Sequence, residues 1–105
     1  MARRLIFSVT TPLGERVVLS RDRWRQIIRY KHPAMASHEK AVRTCLESPS
    51  VVRASAKDAS THLYYAQAGV NHLCVVTGLG GAGPRFVVTA YFTRNIKEGT
   101  TLWKR

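Results

Sequence analysis

The sequence predicts an α+β domain in which two N-terminal helices pack on one face of a twisted antiparallel sheet of about four strands, preceded by a short β hairpin. From Trp24 to Pro49 apolar residues recur with a helical period, and after Pro49 they alternate as in strands. The 105 residues, 45% of them hydrophobic, suffice for one core and not for two. We therefore expect one domain over residues 1–105, with the sheet face opposite the helices left open.

The hairpin comes first in the chain. Residues 5–10 and 16–19 are short β-prone runs, and Pro12 and Gly14 lie between them. Proline and glycine are the residues that tight turns favour, so the two runs are expected to pair through this turn.

The first helix is predicted over residues 21–32. Ser20 suits its N-cap, because a serine hydroxyl there accepts a hydrogen bond from a free backbone N–H. Apolar side chains recur at helical spacing from Trp24 onward, and Pro33 disfavours helix at His32.

A second, shorter helix is predicted to begin at Ser37, with Glu39 in its first turn, and to end before Pro49. The apolar stripe of this helix consists of Ala41, Val42, Cys45 and Leu46. We interpret Cys45 and Cys74 as buried free thiols, because neither has a closely spaced partner.

Four strand-like runs follow Pro49, and turn residues separate them. They cover residues 51–54, 61–67, 72–77 and 85–93. Alternation in the last run assigns one set of side chains to the helix-covered face, namely Phe86, Val88, Ala90 and Phe92. It assigns a hydroxyl-rich set to the opposite face, namely Arg85, Thr89, Tyr91 and Thr93.

The charge balance points to a polyanionic partner. Lys and Arg number 17 against 6 Asp and Glu, so the formal net charge is +11. No fold requires this excess, and arginine, which binds phosphate through two parallel hydrogen bonds, outnumbers lysine. We therefore expect RNA as the partner.

Other classes of site and of location find little support in the sequence. Histidines and cysteines are scattered without metal-ligand spacing, and the glycine-rich stretch at 78–84 precedes a strand rather than a helix. No metal and no cofactor is expected. The apolar stretch near the N-terminus is too short for a signal peptide, so we expect a cytoplasmic protein that does not enter a membrane.

Two cationic groups of the first helix are candidate RNA contacts. Arg21, Arg25 and Arg29 fall on one stripe at i, i+4 and i+8, which suits a row of phosphates. A solvated basic face is the alternative interpretation of the stripe.

Lys31 and His32 stand together at the helix end, where a histidine and a lysine provide the acid–base group and the positive charge that metal-free phosphodiester cleavage needs. Alternatively, Lys31 extends its ammonium to water and His32 interacts with the helix dipole.

The last strand offers a second group of candidates. Thr89, Tyr91 and Thr93, with Arg85 and Arg94, can supply hydrogen-bond donors to phosphate and an aromatic plane to a base. Ordinary β propensity would also explain the threonines and the tyrosine. In the second run after Pro49, His62 and Tyr64 share one face, and one of Tyr64 and Tyr65 is expected to face outward.

Several short motifs occur in a fixed order between about residues 17 and 103. They are Ser-Arg-Asp-Arg-Trp at 20–24, Lys-His-Pro at 31–33, Leu-Glu-Ser-Pro at 46–49, Leu-Tyr-Tyr at 63–65, Cys-Val-Val at 74–76, Val-Thr-Ala-Tyr at 88–91 and Ile-Lys-Glu-Gly-Thr-Thr-Leu-Trp at 96–103. In this combination the sequence resembles the phage- and prophage-associated predicted nucleases that are grouped with barnase, EndoU, colicin D and RelE toxins. The resemblance implies a four-stranded antiparallel sheet and a metal-independent RNA-cleaving site, commonly deployed as a toxin.

The resemblance also assigns roles. It implies His32 as general base or acid, and Lys31 with one of Arg85 and Arg94 as stabilisers of the charged phosphorane. Positioning or proton donation is implied for Tyr64, Thr89 and Tyr91. The chain departs from the family in carrying Lys31 where many relatives have arginine, and Ala34 where an acidic residue is common.

The leading prediction is thus a small endoribonuclease that cleaves RNA by 2′-OH attack and leaves a 2′,3′-cyclic phosphate. Its partners would be tRNA, mRNA or ribosome-associated RNA, and an acidic antitoxin or immunity protein. The first alternative is a non-catalytic basic module that binds RNA or the ribosome. The second is a protein-interaction domain that holds an acidic antitoxin or a phage component.

Overall fold

The computed structural model describes residues 4–105 and contains one seven-stranded sheet. Its strands are β1 (Leu5–Thr10), β2 (Arg16–Ser20), β3 (Val51–Ser55), β4 (His62–Ala68), β5 (Asn71–Gly78), β6 (Arg85–Thr93) and β7 (Gly99–Lys104). They lie in the order β1-β2-β6-β5-β4-β3-β7. The pair β2–β6 is parallel and the other neighbours are antiparallel.

The predicted fold class is therefore wrong. The sheet is mixed and has seven strands rather than about four, and the structure is 45% strand and 23% helix. The β1–β2 hairpin does not stand apart, because Val17 and Val18 of β2 pair with Arg85 and Phe86. Strand β7 adds the opposite edge by pairing with β3. Both additions join segments far apart in the chain, which local periodicity does not report.

The first helix is shorter than predicted and changes type. Helix α1 covers Arg21–Gln26, and the Ser20 hydroxyl caps it by accepting a hydrogen bond of 3.1 Å from the Arg23 N–H. A π-helical turn, Ile27–Lys31, continues it and ends with the His32 N–H donating to the Ile27 carbonyl at 2.7 Å. A π turn holds more residues than an α turn, so side chains beyond it leave the predicted α-helical register.

The second helix begins two residues later than predicted. A 3₁₀ turn, Pro33–Met35, leads to α2, which covers Glu39–Glu47. Ser37 is not the N-cap, since its φ of 67° is left-handed and its hydroxyl donates to a neighbouring carbonyl. His38 occupies the N-cap position without a side-chain hydrogen bond.

The main core lies between the helices and one face of the sheet. The Trp24 Nε1–H donates to Glu39 Oε1 at 3.1 Å and ties α1 to α2. The buried side chains of this core include Phe7, Val9, Val17, Leu19, Trp24, Ile27, Met35, Val42, Cys45, Leu46, Val52, Tyr64, Leu73, Val75, Val87 and Ala90.

A β-bulge in β6 reverses part of the predicted facing. The register against β5 shifts where Val76 pairs with Thr89 and Thr77 pairs with Val87. Val87 and Ala90 consequently both enter the helix-side core, whereas Phe86 and Val88 lie on the other face. An extra residue in a strand exchanges the two faces from that point on, so the predicted assignment fails at the start of β6 and succeeds beyond the bulge.

The face opposite the helices is partly covered rather than open. Residues 94–98, the crossover segment, run across it from β6 to β7 at the sheet edge. Ile96 packs on an apolar cluster that includes Tyr65, and the Lys97 N–H donates to the Tyr65 hydroxyl at 3.0 Å. Arg53 donates to the Lys97 carbonyl at 3.1 Å. These contacts fix the Lys97 backbone against the sheet.

The β1–β2 turn contacts strand β4 across the sheet. Thr11 and Glu15, in the turn between β1 and β2, bond to Tyr64 and His62 of β4. Strands β2 and β4 are three positions apart in the sheet, a separation of about 14 Å in a flat sheet. The turn therefore reaches over the sheet toward β4, and its side chains form a polar network there.

Candidate functional site

The end of the π turn and the end of β6 form the helix-end patch, which consists of Lys31, His32, Tyr91 and Lys97. The ring centroids of His32 and Tyr91 are 5.3 Å apart and tilted by 34°. The Lys97 ammonium lies 5.7 Å from the Tyr91 ring centroid. Lys31 lines the same cleft of about 280 Å³ as His32 and Tyr91. The structure thus brings together three predicted catalytic residues and adds Lys97.

The local backbone explains how these side chains meet. Strand β2 pairs with β6 only at Arg85 and Phe86, so the rest of that β6 edge is left for the helical segment to flank. The π turn ends at Lys31, and His32 leaves the helical conformation with φ −141° and ψ 79°. This break turns the imidazole toward Tyr91 instead of along the helix.

The patch is cationic and its cations are not neutralised. In residues 4–105, the ion pairs join Asp22 to Arg25, Glu47 to Arg43, and Glu15 to His62 and Arg85. Within that part of the chain, no carboxylate oxygen lies within 4.0 Å of a cationic nitrogen of the helix-end patch. Because the two lysines are exposed, their charge is available to an incoming phosphate.

Tyr91 lines the cleft and also packs against a buried cluster that includes Cys74. Burial, reinforced by Cys74, raises the pKa of Tyr91 above its usual value, so the phenol is neutral. Tyr91 therefore supplies a stacking surface beside His32 rather than a base.

The other predicted residues at the end of β6, Thr89, Thr93 and Arg94, lie in different surroundings. Thr89 lies two residues before Tyr91, and its hydroxyl is buried without a hydrogen-bond partner among the described residues. The Thr93 hydroxyl bonds to the backbone of Asn95 and shapes the turn after β6. Arg94 is exposed in that turn, next to the end of β6.

The predicted arginine stripe is exposed but is not one regular ridge. Arg21 and Arg25 lie on α1, and Arg25 is 4.0 Å from Asp22. Arg29 lies in the π turn, with its guanidinium carbon 5.5 Å from the Tyr30 ring centroid. The change of helix type separates Arg29 from the spacing that the sequence predicts.

A second polar cluster, the Glu15 network, lies at the opposite end of β6 and consists of Thr11, Glu15, His62, Tyr64 and Arg85. Glu15 Oε1 lies 2.9 Å from His62 Nδ1 and accepts from the Tyr64 hydroxyl at 3.3 Å. Glu15 Oε2 accepts from Arg85 Nε at 3.0 Å. Tyr64 also donates to Thr11 at 2.9 Å, and Arg85 donates to a backbone carbonyl.

Each side chain of the Glu15 network is hydrogen-bonded to at least one other member. Burial acts to raise the pKa of Glu15, but the hydrogen bonds and charges of Arg85 and His62 outweigh it and hold that pKa below its usual value. Burial raises the pKa of Tyr64 to about 12. Arg85 is 5% exposed. Arg85 and Tyr64, both predicted site residues, are thus internal and separate from His32.

Sequence reasoning missed Glu15 and Lys97. Glu15 is a single acid in a turn, 47 residues from His62 and 70 from Arg85 in the chain. The one available signal was Arg85 itself, because an arginine in an apolar strand needs a buried acid. Lys97 belongs to a short linker without periodicity, and its position follows from the crossover segment.

The remaining chemical groups are unreactive in this structure. Cys45 and Cys74 are buried and free, as predicted, and burial raises the pKa of both thiols. Among residues 4–105, no three His, Cys, Asp or Glu side chains are placed to hold a metal ion. In the same part of the chain, no helix has the length and apolar character needed to span a bilayer.

Comparisons with known proteins give no assignment. No protein-family model matches the chain, and no curated protein or solved structure matches it significantly.

Proposed function

We propose that the protein binds RNA at the helix-end patch and cleaves it there without a metal ion, as a small toxin-like endoribonuclease. The observation that carries this proposal is the His32 ring against Tyr91, in a cleft beside two lysines that no carboxylate of residues 4–105 neutralises. This arrangement combines a titratable group, a stacking surface and phosphate-binding charge.

The residues suit a 2′-OH attack. Neutral His32 takes the proton of the 2′-hydroxyl, the 2′-oxygen bonds to phosphorus, and the bond from phosphorus to the 5′-oxygen breaks. The leaving oxygen takes a proton from the imidazolium that the first step forms, and the product strand ends in a 2′,3′-cyclic phosphate. Lys31 and Lys97 stabilise the charge that builds up on the phosphorane, and Tyr91 stacks on a base.

The wider properties of the chain agree with this proposal. The net charge of +11 favours RNA, whether tRNA, mRNA or ribosome-associated RNA, and an acidic antitoxin or immunity protein would complement it. The motif resemblance to the phage-associated predicted nucleases points to the same activity, and the short apolar stretch near the N-terminus favours the cytoplasm as its place. Exposed Arg94 and the α1 arginines extend the positive surface beyond the cleft.

A non-catalytic RNA-binding module is the second candidate, and one observation favours it. Burial raises the pKa of Tyr91, which makes its phenol a weaker proton donor, and the Tyr64 hydroxyl lies in the Glu15 network, away from the cleft. His32 is then the one acid–base group that we place there. Binding by stacking and charge would need no more than this.

Cleavage in EDTA tests the proposal. Purified protein is incubated with total RNA and with a tRNA pool, and the fragment ends are analysed for cyclic phosphate. His32→Gln should slow cleavage by about 10²- to 10⁴-fold, the range expected for loss of a general acid–base group. His38→Gln is the matched control, because His38 also packs edge-on against an aromatic ring of β6, that of Phe92.

Folding of both variants is checked by circular dichroism. RNA that stays intact with the wild-type protein, while binding to it in a salt-dependent manner, would assign the binding module instead. Cleavage by His32→Gln at the wild-type rate would reject the proposed site.

A further inference from the structure

We propose that a second cleft, the Phe86 pocket, binds one nucleobase of the same RNA strand; this inference rests on the proposed RNA binding. The pocket has a volume of about 300 Å³ and lies between Arg23 of α1, strand β2 and the start of β6. Its lining consists of Leu5, Val18, Ser20, Arg23, Phe86 and the loop residues Gly80, Gly83 and Pro84. None of these residues belongs to the helix-end patch.

The chemistry of the lining suits a flat, partly polar ring. The Arg23 guanidinium lies over the Phe86 ring, with its carbon 5.1 Å from the ring centroid, and both side chains line the pocket, so a base would stack on the guanidinium face that points away from the ring. Arginine planes and aromatic rings are the two surfaces on which proteins stack unpaired bases. Leu5, which is 47% exposed, adds an apolar wall.

Glycines allow the loop after β5 to pack closely on one side of the Phe86 ring. A Cβ at Gly80 would lie 3.2 Å from Phe86 Cδ1, and one at Gly78 would lie 3.1 Å from Val88 Cγ2. The glycine-rich loop can therefore lie against the Phe86 ring without a side chain between them. A Cβ at Gly83, by contrast, would have no atom within 4 Å, so this position borders open space.

Charge identifies the occupant as a nucleic-acid base rather than a purely apolar group. Arg23 makes no ion pair with a carboxylate of residues 4–105, and Arg21 and Arg25 on the same helix are exposed. A phosphodiester strand with its base in the pocket would place its phosphates beside these cations. A polar recess lined by Ser20, Asp22, Arg23 and Gln26 adjoins the pocket and offers hydrogen-bonding groups to a base edge.

The position of the pocket fits one strand that contacts both clefts. Phe86 and Tyr91 lie on the same face of β6, on either side of the bulge. Five residues of β strand separate them by about 16 Å. An RNA strand that follows β6 would stack one base near Tyr91 and another in the Phe86 pocket.

The inference is tested by comparing two oligomers, with and without bases, in their binding to wild-type protein and to pocket variants. Binding to the full chain is measured by fluorescence anisotropy with a 2′-O-methyl RNA oligomer, which cannot undergo 2′-OH attack. The second probe is an oligomer of equal length and charge without bases. We expect wild-type protein to bind the base-containing oligomer more tightly, and Phe86→Leu to reduce this preference by about 5- to 100-fold, the range for loss of one stacking residue.

Two further variants keep the test independent of folding. Arg23→Gln removes the guanidinium that lies over the Phe86 ring and should reduce the preference as Phe86→Leu does. Leu79→Ala is the control, because Leu79 is 58% exposed in the same loop and does not line the pocket. Thermal unfolding measured by circular dichroism verifies that each variant is folded.

The outcomes separate this inference from the proposed function. Equal binding of both oligomers by wild-type protein would overturn the pocket and leave RNA binding and cleavage intact. A base preference that persists in both Phe86→Leu and Arg23→Gln would also overturn it. Absence of binding to either oligomer at low salt would overturn RNA binding itself. Loss of cleavage in His32→Gln with an unchanged base preference would support both proposals.

Discussion

The two ends of strand β6 have polar clusters of opposite character. At its start, Arg85 is buried and shares Glu15 with His62 and Tyr64. Near its end, His32 stacks on Tyr91 beside Lys31 and Lys97, for which residues 4–105 supply no carboxylate partner.

The difference separates two uses of the same residue types. In the Glu15 network, donors and acceptors are hydrogen-bonded to one another. Their role is therefore structural, since these bonds hold the β1–β2 turn against β4. In the helix-end patch the positive charges repel one another. They do not stabilise the free protein, but they favour the binding of an anionic ligand. A histidine beside a cation is thus a better functional candidate when no carboxylate of the described residues neutralises the pair.

The largest expected effect on stability is that of Glu15→Gln. This change leaves the Arg85 guanidinium, 5% exposed, without its counter-charge. Removing one partner of a buried ion pair costs several kcal/mol, and the 30% exposure of the Glu15 side chain places the loss near the lower limit, at about 3 kcal/mol. Urea unfolding measures it.

Glu98→Gln is the control for that experiment, since Glu98 is exposed and makes no ion pair with the described residues. If the two variants unfold at the same urea concentration, the Glu15 network does not stabilise the fold and the contrast between the two ends of β6 disappears.

A smaller effect is expected from acid. The folded-state pKa of Glu15 lies below its unfolded value of about 4.5. Its ionised form therefore stabilises the protein above pH 4.5, and this contribution is lost as the pH falls through the lower, folded-state pKa. The difference in free energy of unfolding between wild type and Glu15→Gln should accordingly shrink below pH 4.5.

Unfolding curves measured from pH 7 to pH 3 give that difference directly. The subtraction removes the contribution of Asp58, whose pKa is also lowered, chiefly by its hydrogen bonds to Ser60. A difference that stays constant over this range would show that the protonation of Glu15 is not linked to folding.

The smallest effect on stability is expected at the helix-end patch. Lys31→Gln and Lys97→Gln should each change the free energy of unfolding by less than about 0.5 kcal/mol, because both side chains are exposed. Each should nevertheless reduce the slope of log affinity for single-stranded RNA against log salt by about 0.7, the contribution of one phosphate contact.

Lys57→Gln is the control for the slopes, because Lys57 is an exposed lysine in the β3–β4 loop beside the Glu15 network. Salt titrations of RNA binding by all three variants compare the two ends of the molecule. Equal slopes for all three would mean that the positive charge acts diffusely and that the patch is not a site.

Much of the local structure could be predicted. Strands β3, β4, β5 and β6 begin and end within one residue of the predicted runs, and α1 starts after Ser20 as expected. These features depend on neighbouring residues, whose alternation or capping hydroxyl is visible in the sequence. Lys31 and His32 were found for the same reason, since adjacent residues must share the helix end.

What the sequence did not reveal depends on pairing over long distances. The bulge in β6 follows from its register with β5, and it moved Phe86 to the face opposite the core. The left-handed Ser37 and the π turn adjust the helical segment to that sheet. Periodicity alone indicates which residues alternate but not the point at which the alternation slips.

The sequence by itself determined the strong positive charge, most strand positions and the presence of a lysine–histidine pair at a helix end. The tertiary structure decided which groups neutralise one another. Glu15 and Arg85 are 70 residues apart, and the parallel pairing of β2 with β6 brings them together, whereas the crossover segment carries Lys97 to Tyr91. The composition fixes the net charge. Which charged groups pair depends on the distances between them, and only the fold sets those distances.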